Sequence, residues 1–181
     1  MNEKANLSLS MPTRRRLLSS IAVALGTLAT RSAIFAETPQ ETMKESPGTA
    51  ANKARTSLHE DIDLKATPQR IYEVLLSTKQ FTAFTGLPAE IDPKVGGAFS
   101  MFAGQIVGRN VELVPNQRIV QAWRPTHWDA GVYSVVKFDL KPRDSETTVV
   151  LDHTGFPEGD FDHLEWGWHN HYWDPLKKFL A

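Results

Sequence analysis

A chain of 181 residues, 41% hydrophobic and 23% charged, has room for one ordinary domain, which excludes both wholesale disorder and a polytopic membrane protein. Twenty Lys and Arg against 21 Asp and Glu leave a net charge of -1, a poor footing for a nucleic-acid binder. The absence of cysteine removes disulfides, thiolate zinc sites, thiol catalysis and a lipoprotein anchor together.

The charge is unevenly spread, with five basic residues and one acidic residue up to Ala36. Thr13-Arg14-Arg15-Arg16-Leu17-Leu18 reads as a twin-arginine export signal. Arg14 and Arg15 form the pair, Leu17–Thr30 is the uncharged run, and Ile34-Phe35-Ala36 is a workable cleavage site. The run is too short and too rich in Ser, Thr, Ala and Gly for a membrane span, an uncleaved anchor being the alternative. Residues 1–36 are therefore expected to be a signal peptide read by the twin-arginine translocation machinery. The mature form is expected in the periplasm or secreted, with no stable membrane span. Residues 37–57 hold one sizeable apolar side chain, Met43, too little to offset ordering entropy, and are expected to be a flexible linker. The globular domain is then 58–181.

Within it, Leu58–Ala66 alternates as a half-buried strand. Thr67-Pro68 starts a helix with Ile71, Val74 and Leu75 on one face, and a second short helix over Lys79–Phe84 stops at Gly86. Five strand-like runs follow, each closed by a turn signal: Gly97–Phe102, Gln105–Val114, Arg118–Arg124, Val132–Leu140 and Thr147–His153. Hairpin-length spacing predicts an antiparallel meander. Leu164, Trp168, Tyr172, Leu176 and Leu180 recur every four residues, predicting a long amphipathic helix opened by Glu158, Asp160 and Asp162. Pro175 should kink it near His171, unless Asp174 caps a second short helix. The expected class is α+β, a curved antiparallel sheet of about six to seven strands wrapped around the C-terminal helix, with two short helices after the first strand.

This order resembles the helix-grip fold of the START/SRPBCC superfamily. Four stretches look like its activator of heat-shock protein 90 ATPase-like group: Val95–Phe99, Gly108–Arg124, Thr147–Phe156 and Gly167–Leu180. One departure is Phe84, where many relatives carry Trp. The resemblance implies a cavity between sheet and helix for a hydrophobic or amphipathic small molecule, sometimes with catalysis; no cofactor is expected. In the eukaryotic namesake it also implies stimulation of a chaperone ATPase, a role that an exported protein without access to ATP does not inherit.

Six residues are the candidate ligand-binding set: Trp123, Phe138, Leu151, His153, Trp168 and Tyr172. Four-residue steps put Trp168 and Tyr172 on one helical stripe, and two-residue steps put Val149, Leu151 and His153 on one strand face. His153 is the one weak catalytic candidate, with a core histidine held by a hydrogen bond as the plain alternative. Glu165 and His169, four apart, are weak metal candidates, but no HExxH arrangement exists and a solvated helix face is the better explanation. Trp166 and Trp173 fall on other faces of the predicted helix. Two function classes stay open: a carrier or sensor for a hydrophobic ligand, and a cavity enzyme of the cyclase or hydratase type using His153 as acid/base. They separate on whether an acid or a tyrosine lies within hydrogen-bond reach of His153.

Overall fold

The computed structural model of the chain describes residues 54–181. The expected signal peptide, with Arg14, Arg15 and Ala36, and nearly all of the expected linker lie outside the described residues.

Strand β1 (Ser57–Leu64) buries Leu58, Ile62 and Leu64 on one side, as its alternation requires. It starts one residue before the expected boundary, and the preceding carbonyl, that of Thr56, accepts the Gly155 N–H at 2.9 Å. Helix α1 (Pro68–Leu76) opens as expected. The Thr67 side chain accepts the Arg70 N–H, and Pro68 occupies a position that has no helical hydrogen bond to lose. Helix α2 (Thr78–Thr85) is capped by Ser77 and stops at Gly86, whose φ of 70° suits glycine.

Six further strands follow: β2 (Glu90–Ile91), β3 (Ala98–Met101), β4 (Ile106–Val114), β5 (Arg118–Pro125), β6 (Ser134–Arg143) and β7 (Glu146–Thr154). They form one seven-stranded sheet in the order β1-β7-β6-β5-β4-β3-β2, antiparallel at every pairing. The two-residue β2 was not expected. Phe102 does not end a strand. With Ala103 and Gly104 it makes a left-handed turn (φ 54°, 55° and 87°) that swings its ring inward. A bulge at Val111 interrupts the β4–β5 register and bends the sheet.

The last element differs from a plain kinked helix. Helix α3 (Phe161–Gly167) runs into a π-helical turn (Trp168–Trp173), which passes into α4 (Asp174–Leu180). Pro175 has no N–H to bond the His171 carbonyl, and its ring would crowd that carbonyl in an α-helix. Widening the preceding turn removes both problems without a break. The wider turn also brings Trp173 to the buried face, completely covered, so its expected placement elsewhere is corrected. Its ring stacks on Trp168, five residues earlier, with centroids 5.5 Å apart. This composite helix lies in the concave face of the sheet, and the core sits between them.

Candidate functional site

The structure brings the six expected residues into one neighbourhood but in two layers. Phe138 stacks on Tyr172 at 5.9 Å and meets Trp168 edge-on at 5.8 Å. Trp168 stacks on Trp123 at 5.0 Å. Trp123, Trp168 and Tyr172 wall a cavity of about 430 Å³; Phe138, Leu151 and His153 lie beneath them in solid core.

His153 is fully buried and held at both ring nitrogens. The Trp168 indole N–H donates to Nδ1 at 3.1 Å, so Nδ1 is the bare nitrogen and Nε2 carries the proton toward Ser134 Oγ at 2.8 Å. Ser134 Oγ in turn donates to the Trp123 carbonyl at 3.3 Å. Burial pushes the imidazole pKa down to about 3, so the ring is neutral at ordinary pH. Its hydrogen-bond partners include neither a carboxylate nor a tyrosine. The arrangement is that of a core histidine, whose hydrogen bonds brace the wall formed by Trp123 and Trp168.

A second polar chain braces the same wall from the sheet. Trp123 Nε1 donates to Gln121 Oε1, Gln121 Nε2 donates to Asn110 Oδ1 (each 2.8 Å), and Asn110 Nδ2 reaches the Asp92 carbonyl at 2.9 Å. These side chains are buried and fully satisfied, which fixes the indole in one orientation.

The mouth of the cavity is built from parts that no sequence period connects. The β3–β4 turn supplies Gln105 and, from inside, the buried Phe102; Ile106 opens β4, and Leu87 follows α2. The loop after β5 supplies His127, while α3 and the π turn supply His163, Trp166 and His171. Asp160 ties that loop to the start of α3: it accepts the Trp128 indole N–H and lies 3.6 Å from His127 Nε2. The His127 and His163 rings meet at right angles, 5.6 Å apart, and His171 meets Trp166 edge-on at 4.8 Å. Trp166 is 53% exposed and forms an apolar lip. Phe84 packs edge-on against Tyr172 at 5.8 Å.

Glu165 and His169 do not converge. Glu165 is exposed, whereas His169 Nε2 lies 3.1 Å from Glu60 Oε1 on β1. Glu60 Oε2 also accepts the Trp173 indole N–H at 3.0 Å, so this carboxylate fastens the π turn to the edge of the sheet. Among the described residues no group of three or more His, Asp or Glu side chains could hold a metal ion.

Comparison with known proteins agrees with this architecture. The family described as Activator of Hsp90 ATPase homolog 1-like protein matches residues 65–181. The chain is 29% identical over 121 residues to the human activator of 90 kDa heat shock protein ATPase homolog 1, covering 65% of this chain and 36% of that protein. It is 34% identical over 119 residues to the corresponding activator homolog of Dictyostelium discoideum, covering 64% and 30%. The chain thus spans about a third of the length of these relatives. Among solved structures, an Hsp90 activator from Plasmodium falciparum superposes with a TM-score of 0.67 at 24% identity, covering 70% of this chain and 96% of that one. The Aha1 dimer from Colwellia psychrerythraea gives 0.60 at 19% identity, covering 70% and 96%. The chain belongs to the Activator of Hsp90 ATPase homolog 1-like family.

Proposed function

We propose that this domain is an exported carrier or sensor that holds a hydrophobic or amphipathic small molecule in the cavity between sheet and C-terminal helix. The observation that carries this reading is the cavity itself. Its volume of about 430 Å³ falls within the roughly 300–1,000 Å³ of small-molecule sites. Its walls are indole, phenyl and aliphatic, and imidazoles stand at the mouth where a polar end would meet water. The neutral His153, without an acidic or phenolic partner, favours binding over acid/base catalysis. Native mass spectrometry of the purified full chain should find a retained molecule. Failing that, an apolar fluorescent probe should bind in a manner sensitive to Trp166→Ala; bare protein and no probe binding would remove the reading.

Export rests on the Arg14-Arg15 pair before the run Leu17–Thr30. Replacing both arginines by lysine should abolish periplasmic accumulation in a cell fractionation; unchanged yield would remove the export assignment.

The names of the relatives favour a second reading, stimulation of a chaperone ATPase. Addition of the domain to a purified chaperone of the 90 kDa heat-shock class decides between them. A rate increase that persists with the cavity filled by a probe would place the activity on the outer surface.

A further inference from the structure

The buried aromatic residues treat their polar atoms unequally. Trp123, Trp128, Trp168 and Trp173 each donate the indole N–H to a named acceptor: Gln121, Asp160, His153 and Glu60. Tyr172 is equally buried, 2% exposed, yet its hydroxyl bonds to no described residue. Every fully enclosed side-chain polar atom among the described residues has a partner, so this hydroxyl cannot be enclosed by protein. Tyr172 is one of the side chains that line the cavity. A buried phenol usually finds a hydrogen-bond partner, and one in a cavity wall without a protein partner is available to a molecule that enters.

We propose that the Tyr172 hydroxyl is a ligand-binding donor, and that the cavity takes an apolar molecule carrying a hydrogen-bond acceptor oxygen, such as a ketone, on its buried part. This rests on the small-molecule reading above and adds the chemical class. Aromatic neighbours hold the ring on several sides: Phe81 and Phe84 edge-on, each at 5.8 Å, and Phe138 stacked at 5.9 Å. Burial raises the phenol pKa far above its ordinary value, so the proton stays on oxygen and the group acts as a donor throughout the accessible pH range. The aromatic walls favour a flat ligand, and the two indoles that line the cavity beside Tyr172, those of Trp123 and Trp168, already donate their N–H groups within the protein.

The test uses two probes of matching shape, 4-benzoylbenzoic acid, which has a ketone bridge, and 4-benzylbenzoic acid, which has a methylene there. Both are titrated into the full chain and into Tyr172→Phe, following quenching of tryptophan fluorescence. A net hydrogen bond of ordinary strength corresponds to about threefold to tenfold tighter binding of the ketone by the unaltered chain. In Tyr172→Phe the ratio of the two affinities should fall to about one, while urea midpoints of the two proteins stay close because the hydroxyl bonded nothing in the protein. Equal affinities in the unaltered chain, or a preference that survives in Tyr172→Phe, would overturn the donor assignment and leave apolar binding standing. If neither probe binds, the donor assignment and the small-molecule reading fall together.

Discussion

The indole N–H of Trp168, on the C-terminal helix, donates to Nδ1 of His153, on the last strand, at 3.1 Å. One bond therefore joins the two halves of the grip and selects the histidine tautomer. Burial of the same imidazole sets a pH dependence. The folded pKa of about 3 lies below the unfolded value near 6.5, so the unfolded chain binds the proton more readily. The stabilisation is complete above pH 6.5 and is lost as pH falls toward 3. Between pH 7 and 4.5 the loss should be roughly 2–3 kcal/mol, measured by urea unfolding. His153→Gln should flatten that part of the profile. Asp152 is held below the usual carboxylate range by hydrogen bonds from His59 and Lys137, so its own loss comes at lower pH. An unchanged slope in His153→Gln would refute the assignment.

Trp166 tests the mouth without touching the core. It lines the cavity yet is 53% exposed, and its ring contact is with the exposed His171. Trp166→Ala should change stability by no more than about 0.5 kcal/mol, as for ordinary surface positions. Binding of an apolar probe should weaken several-fold. A loss of stability comparable to a core truncation would contradict this placement.

Glu60 tests the latch of the π turn. Glu60→Ala leaves the Trp173 indole N–H buried without an acceptor and should cost about 1–3 kcal/mol. Glu60→Gln keeps an oxygen for the indole and should recover most of that loss. Equal midpoints for the two variants in thermal unfolding would show that the indole bond contributes nothing.

Gly108 on β4 is required by close approach. A Cβ there would run into the Ala122 carbonyl oxygen and the ring of Phe99. The carbonyl belongs to a paired strand and cannot yield, so Gly108→Ala should destabilise by more than about 2 kcal/mol. Circular dichroism melts of the purified variant would measure it, and a change under 1 kcal/mol would mean that the β4–β5 hairpin is softer than its pairing implies.

Local signals in this chain translated well into structure. Thr67, Pro68 and Gly86 act within one helical turn of their own position, and the alternation from Val149 to His153 names the face that β7 buries. β2 is silent in the sequence because two residues cannot display a period. The cavity was legible only in part, for a different reason. Alternation tells which way a side chain points, not how deep it lies, so His153, Leu151 and Phe138 pointed correctly but ended beneath the wall. His127, His163 and Trp166 meet at the mouth only through the loop after β5 and the tie at Asp160, contacts that no spacing encodes. Phe102 read as strand because nothing in Phe-Ala-Gly announces two non-glycine residues in left-handed conformation.

The π turn also governs where this helix can gain or lose a residue. Leu164 and Leu176 are twelve positions apart, yet both are buried. Eleven residues of regular α-helix complete about three turns, so twelve would put the second leucine about a third of a turn away. The wide turn absorbs the surplus residue and keeps both leucines in phase. Deleting one residue there would keep the flanks aligned but return the segment to α spacing and set the Pro175 ring against a carbonyl, whereas a deletion in α3 or α4 would rotate everything beyond it away from the sheet. The surplus residue of this helix is therefore absorbed at one place, and that place is the wall of the cavity.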